Sequence, residues 1–341
     1  MHKTNTPKKL VNSCGQPSFG VFPHSITHIN GRDTDHRTPM GKPATPLAKF
    51  FEYKQFQYFG VIHEDYLIGC ALADTAWLGV AFFYIFKPAT GELESYTWRS
   101  PLGLHMHMSN SPVQGCSHFK QKKVRIEMGY RQRNQHLEKT LSVTLPGLTL
   151  DLVMQEEANY QPMSLCTRTG INGWVYANKV AGVPVSGTLR RGKETQIISA
   201  YGHHDFSAGY MRRQTFWNWD CFSGELLGQR IGLNISCGVN ETSYSENCLW
   251  LGNTCIPLPK VAFHYNRDNL LEPWHISTAC GQLALTFHPQ GQHKEQLNVG
   301  IFASNFNQMF GYFSGHIDTH DGQRINIARL HGFVEEQYAK W

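Results

Sequence analysis

The sequence predicts an all-β fold of two barrel- or sandwich-like halves packed together, with few and short helices. Three observations lead there. From Phe50 onward, short runs of β-branched and aromatic residues alternate with turn signals. Almost no stretch sustains the 3.6-residue apolar period of an amphipathic helix. The run LGVAFFYIFKPATGELESYTW, ending at Trp98, is echoed by MFGYFSGHIDTHDGQRINI from Met309: an aromatic-rich strand, a turn with Thr and Gly, and a second strand.

The first 50 or so residues are rich in Pro, Gly, Thr and charge (GRDTDHRTPMGKPATP) and read as an irregular arm. Candidate strands follow at 54–62, 66–73, 78–86 and 92–98, separated by His-Glu-Asp, Ala-Asp-Thr-Ala and Lys-Pro-Ala-Thr-Gly turns. Further strands are expected at 124–130, 141–145, 148–154, 197–200, 231–237, 249–251, 260–265 and 274–278, then at 283–287, 298–304, 311–317 and 324–333. The segment QEEANYQP breaks the pattern near 155–162. The expected organisation is therefore an arm over 1–50, a first lobe over 51–160 and a second over 161–341.

Composition narrows the classes. A chain of 341 residues accommodates two lobes or one large β architecture. Charged residues are sparse at 17%, while aromatics (12%) and 31 glycines suit a turn-rich β protein or one that lines a cavity with rings. A formal charge of +5 is small for this length and reads as a solvated surface, not a nucleic-acid footprint. The nine cysteines, at 14, 70, 116, 166, 221, 237, 248, 255 and 280, are odd in number and show no C-x-x-C pair, which points to reduced thiols. The N-terminal stretch lacks the apolar run of a signal peptide, and the longest apolar stretch, Ala76 to Phe86, is too short to span a bilayer. A cytoplasmic protein without an integral membrane segment is expected, its oligomeric state open.

The densest chemistry lies in GHHDFSAGYMRRQTFWNWDCFSG, Gly202 to Gly224. A carboxyl group such as Asp205, beside His204 and large rings, can have its pKa raised by desolvation and so donate a proton near neutral pH. Trp217 and Trp219 are two apart and share a strand face, where indole rings can stabilise developing positive charge or stack on an unsaturated chain. Arg213 can bind an anionic head group or pair with an acid, and Tyr210 adds a further ring. The alternative is a buried strand whose Asp and His satisfy backbone groups and whose tryptophans fill a core.

A second constellation is NETSYSENCLW, 240–250. Glu246 and Asn247, just ahead of Leu249 and Trp250, can reach a barrel mouth or cap a turn. His105 and His107 share a strand face, and a third metal ligand would have to come from His118 or His264; no spacing matches a metal signature, so no metal is assigned. No G-x-S-x-G elbow, phosphate loop or strand-borne G-x-G-x-x-G occurs, so no serine nucleophile and no nucleotide cofactor are indicated. In the ending GFVEEQYAKW, Glu335 and Trp341 can close a lid or pack the last strand.

Several segments carry a resemblance: RTGINGWVYANKVAGVPVSG, HDFSAGYMRRQTFWNWDCFSG, IGLNISCGVNETSYSENCLW, EPWHISTACGQLALTFHP, FNQMFGYFSGHI and LHGFVEEQYAKW, in order over 168–341. Together they resemble a bacterial family of unknown function that is similar to the two-lobed lipocalin-like superfamily of AttH proteins, carotenoid 1,2-hydratases and plant tocopherol cyclases. The resemblance implies two lipocalin-like lobes and a cavity for a hydrophobic ligand. In the carotenoid hydratases the corresponding loop has a His-Asp-His-x-x-Gly pattern, matched here at His204, Asp205 and Gly209, with Phe206 where the second His would stand. What it implies for chemistry is a lipid, isoprenoid or polyene-like ligand and a cofactor-independent hydratase, isomerase or cyclase. Asp205 is then the acid, His204 tunes it, and Trp217 and Trp219 face the reacting carbons. The alternatives are a non-catalytic lipid or pigment carrier or sensor, and a scaffold whose cavity is filled by its own side chains.

Overall fold

The computed structural model describes residues 5–134, 136–238, 242–300 and 302–341. It is almost entirely β, in two antiparallel sheets, one curled into a nearly closed barrel and the other into a half-barrel. Among the described residues the helices are a 3₁₀ turn, Gly31–Asp33, and one α-helix, Pro46–Glu52. That helix starts where Thr45 caps it, accepting from the Ala48 N–H at 3.2 Å, with a proline in the first turn.

The first sheet has thirteen strands. Its main path runs Glu92–Pro101, Leu78–Lys87, Leu67–Asp74, Tyr53–Ile62, Glu194–Tyr210, Trp174–Arg191, Leu148–Glu156, His136–Leu145, Val124–Arg133, Gly115–Gln121 and Met106–His107. The second sheet has nine strands, in the order Thr254–Pro257, Cys248–Leu251, Gln229–Cys237, Gln214–Leu226, Arg324–Lys340, Ala303–Asp318, Leu283–Asn298, Trp274–Thr278 and Val261–His264. In both, the two edge strands are consecutive in sequence, so a short turn links edge to edge and each sheet curls on itself. The two echoed segments are hairpins, one in each sheet, with pairs running from Leu78↔Pro101 to Lys87↔Glu92 and from Ala303↔Lys340 to Asp318↔Arg324.

The sheets divide elsewhere than the expected lobe boundary at 160/161. Strands Met163–Arg168, Trp174–Arg191 and Glu194–Tyr210 are hydrogen-bonded into the first sheet, and the second begins only at Gln214. The reason is the length of these strands. Trp174–Arg191 continues the pairing of Leu148–Glu156 (Leu148↔Arg191 to Met154↔Val185), so QEEANYQP is a loop inside one sheet and not a border. The chain crosses between sheets once, at Met211–Arg213.

The N-terminal arm packs against the first sheet. Leu10, Val11, Phe22, Ile26 and Ile29 form a buried cluster with Tyr53, Trp174, Tyr176, Phe206 and Tyr210, and the Tyr176 hydroxyl accepts from the Ile26 N–H at 3.0 Å. Gly20–Val21 adds a short strand beside Met163–Arg168. Side-chain alternation along Gln214–Leu226 sends Trp219 and Cys221 to the core shared with the first sheet and Phe222 to the second sheet's own core.

Two glycines let the sheets meet. The pairing of Trp174–Arg191 slips between Val180 and Val183, and Gly182 in that bulge has φ +69°, a conformation costly for any residue with a Cβ. A Cβ on Gly182 would lie 2.9 Å from the Ile231 carbonyl, and one on Gly232 would lie 2.4 Å from the Ala181 carbonyl carbon, both fixed backbone. The Gly182 N–H donates across the seam to Ser223 Oγ at 3.0 Å. Gly232→Val is expected to cost more than about 2 kcal/mol and to lower the urea midpoint, because the backbone it meets cannot step aside. Gly228→Val, where the turn has open space but φ is +77°, should cost only about 1 kcal/mol of backbone strain.

Candidate functional site

Between the two sheets lies a cavity of about 240 Å³ whose walls come from both. Strand Glu194–Tyr210 contributes Asp205 and Ser207, which share a face because they are two apart. Its neighbour Trp174–Arg191 contributes Val175 and Lys179, and Lys179 is register-paired with Asp205. From the second sheet come Trp217 and Trp219, Phe306, and Glu335 and Gln337; Glu246 enters from the loop before Cys248–Leu251. Phe56 and Phe82 complete the apolar wall on the first sheet's side.

Charge is concentrated at one end of this chamber. The Lys179 ammonium lies 2.6 Å from Glu246 Oε1 and 3.3 Å from Asp205 Oδ2, and sits over the Trp219 ring at 4.7 Å from its centroid. Asp205 also accepts from the Ser207 hydroxyl at 2.8 Å. Glu335 is bound by neutral donors: Trp217 Nε1–H donates to Oε1 at 2.8 Å, and the Gln308 amide approaches Oε2 at 3.4 Å. Lys179, Asp205, Glu246 and Glu335 are all buried, at 5%, 5%, 2% and 4% exposure, so Lys179 pairs with two carboxyl groups while the third, Glu335, is held by neutral donors.

The protonation pattern follows from that count. Burial pushes the Glu335 pKa up to about 8, against the pull of the Trp217 hydrogen bond and of Lys179, with Asp205 adding to the rise. Burial also raises Asp205, opposed by Lys179 and by the Ser207 hydrogen bond, with Glu246 pushing upward. Burial works against the Lys179 charge, but Asp205 and Glu246 outweigh it and hold its pKa above the ordinary lysine value. The chamber thus holds a fixed ammonium, carboxylates paired to it, and a carboxyl group that keeps its proton at neutral pH.

The two histidines of the central segment go to opposite faces. His203 points into the seam, its ring 5.3 Å from Tyr58 and 5.3 Å from Phe333, with neither ring nitrogen hydrogen-bonded; burial and then Lys179 lower its pKa to about 3. His204 points away from Asp205, into the first sheet's interior. There it contacts the Tyr130 hydroxyl at 3.2 Å and Lys139 Nζ at 3.4 Å, and Lys139 pairs with Glu156 at 2.8 Å. The expected tuning of Asp205 by His204 is corrected: strand alternation separates them, and Lys179 is the neighbour that acts on Asp205.

Four other expected wall residues also lie elsewhere. Tyr210 is on the His204 face, under the N-terminal arm, stacked on His36 at 3.9 Å. Arg213 is at the crossing between sheets, where its guanidinium donates to the Trp341 carbonyl at 3.1 Å. Asn247 secures its turn, accepting from the Ser236 N–H at 2.8 Å and donating to the Pro259 carbonyl at 3.1 Å. Trp250 is fully buried, stacked on Tyr160 and donating to the Gln161 carbonyl at 2.8 Å. Asn240 and Glu241 of the same segment lie outside the described residues. Asp205, Glu246, Trp217 and Trp219 do converge, joined by Lys179 and Glu335. The sequence carried one usable sign of Lys179: a lone lysine inside the apolar run WVYANKVAGV.

A second, more polar cavity of about 910 Å³ opens at the other end of the seam, lined in part by His63, Tyr201, Glu225, Arg329 and His331. Strands Tyr53–Ile62, Trp174–Arg191, Glu194–Tyr210, Gln214–Leu226, Leu283–Asn298 and Arg324–Lys340 contribute to both, and Tyr58, His203 and Phe333 pack together between them. Elsewhere, Cys116, His118 and Glu127 approach metal-ligand spacing on the first sheet, with His107 stacked on His118 at 5.3 Å, but Glu127 is already paired with Lys120 and Arg125, whose charge opposes a cation. His264, the other ligand considered, is on the second sheet. None of the nine cysteines is in a disulfide. Among the described residues no helix is long and apolar enough to cross a membrane.

The sequence profile of a domain of unknown function, DUF2804, matches residues 1–341. The chain belongs to the DUF2804 family. No curated protein matches this DUF2804 chain. Among solved structures, one assigned as AttH from Nitrosomonas europaea is similar at 14% identity, over 88% of this chain and 98% of that one, with a TM-score of 0.43. Kievitone hydratase from Nectria haematococca is similar at 10% identity, over 84% of this chain and 88% of that one, with a TM-score of 0.42.

Two outcomes test the charge arrangement. Glu335 holds its proton in the native state up to about pH 8 but releases it near 4.5 once unfolded, so its contribution to stability is lost as pH rises through that window. Glu335→Gln should therefore gain stability relative to the wild type between those pH values, read as urea midpoints across pH. Lys179→Met leaves buried carboxylates without their cation and should cost about 3–5 kcal/mol at neutral pH, with part of the loss recovered in acid as the carboxylates protonate.

Proposed function

We propose that this protein binds a hydrophobic ligand of lipid, isoprenoid or polyene-like character in the cavity between its sheets. It acts on that ligand by protonation, without a cofactor, as a hydratase, isomerase or cyclase. The observation that carries this reading is the apolar chamber with a carboxyl group, Glu335, protonated at neutral pH and facing paired carboxylates.

The chemistry follows from the placement. Transfer of the Glu335 proton to an alkene carbon forms a C–H bond and leaves positive charge on the adjacent carbon. The indoles of Trp217 and Trp219 and the carboxylates of Asp205 and Glu246 line the space where that charge develops. Loss of a proton from a neighbouring carbon to a carboxylate shifts the double bond. Attack by water, with loss of its proton to a carboxylate, hydrates it; attack by a second alkene closes a ring. Asp205, held by Lys179, serves here as the stabilising or proton-accepting carboxylate, and Glu335 as the donor.

Organic extraction of the purified protein followed by mass spectrometry should yield an apolar molecule that sets the substrate class. With that molecule, Glu335→Gln and Asp205→Asn are expected to keep binding within about tenfold and to lose turnover by about 10²–10⁴-fold. Binding with equal turnover in wild type and variants would leave a carrier or sensor. No extractable molecule and no binding would leave a scaffold.

A further inference from the structure

We propose that the ligand of the inter-sheet cavity carries a positively charged centre, a protonated amine on an apolar skeleton, which is received among Glu335, Asp205, Glu246 and Gln337. This rests on the reading of the cavity as a ligand site and specifies what enters it.

Three features of the chamber favour positive charge over negative. The first is Glu335, whose hydrogen bonds are to the neutral donors Trp217 and Gln308, while Lys179 is shared by Asp205 and Glu246. The second is an orphaned acceptor: Gln337 lines the cavity and is 6% exposed, and its Oε1 has no hydrogen-bond partner, although its amide nitrogen is engaged by Ser304 Oγ at 2.9 Å. A buried amide oxygen left open calls for a donor. The third is the walls. Trp217, Phe82 and Phe306 present aromatic rings to the same space, and the Trp219 ring already holds the Lys179 ammonium, which shows the geometry this chamber offers a cation.

The other cations that line the cavity each already have an acceptor. Lys54 donates to the carbonyls of Phe51 and Thr75 at 2.5 and 2.7 Å, Lys340 donates to the Gly300 carbonyl at 2.9 Å, and Arg99 pairs with Glu295 at 2.9 Å. A fatty-acid carboxylate at the charged end would enter the field of Asp205, Glu246 and Glu335. At that end an ammonium meets carboxyl oxygens, the open Gln337 oxygen and aromatic rings.

The test is a matched series of decylamine, decanol and decanoate titrated into the full-length protein at about pH 8.5, where Glu335 is mostly ionised and the amine is still protonated. Binding is read from tryptophan fluorescence, since Trp217 and Trp219 line the cavity. Decylamine is expected to bind at least about tenfold more tightly than decanol, and decanoate more weakly than decanol. In Glu335→Gln, whose amide can still accept from Trp217, the advantage of amine over alcohol should shrink by about threefold or more. Decanol binding as tightly as decylamine, or decanoate binding best, overturns the charge assignment and leaves the apolar cavity standing. If none of the three binds, the cavity reading fails and this inference with it.

Discussion

One ammonium buried among three carboxyl groups, between two sheets that both contribute to its surroundings, is the constraint on which this structure turns. Charges shut away from water are tolerated only where fixed partners and hydrogen bonds replace it. Lys179 meets that demand through register: it stands opposite Asp205 on the neighbouring strand, while Glu246 arrives from a loop whose position Asn247 secures. The close approach of Gly182 and Gly232 brings the sheets near enough to cover the group, and Tyr58, His203 and Phe333 block the seam behind it. What remains open is the chamber in front. Site and fold thus share the same contacts.

Much of the fold was legible because strands leave a period-two signature and turns leave Gly, Pro and Asn. The expected strand at 274–278 coincides with Trp274–Thr278, and those at 78–86, 124–130 and 148–154 fall inside observed strands. Chain length along a strand was harder to read. Trp174–Arg191 runs 18 residues through a bulge, and its middle, NKVAGVPV, mixes a lysine, a glycine and a proline that would ordinarily mark a turn. Composition changes at QEEANYQP, whereas sheet membership changes fifty residues later, at three residues, Met211–Arg213, that look like the middle of a motif.

The site was legible in its parts and not in its partners. Asp205, Glu246, Trp217 and Trp219 were visible as chemistry concentrated in two segments, and they meet at the cavity. His204 misled because adjacency in a strand means opposite faces, so the residue next to Asp205 in sequence is among the least able to touch it. Lys179 and Glu335 come from strands 26 residues before and 130 residues after Asp205, and nothing local marks either as belonging with it. Glu335 was noticed only as part of a polar ending. Its significance comes from burial, which no short pattern records.

The single crossing at Met211–Arg213 has a consequence for how the chain assembles. Each sheet is complete in hydrogen bonds on its own side of that link, so both can form while still apart. In that state Lys179 and Asp205 face solvent on one half, and Trp217, Trp219 and Glu335 face it on the other. If the sheets form before they dock, the desolvation of the ionic group falls in the docking of two preformed surfaces. On that route a molecule that fits between the halves would favour their closure.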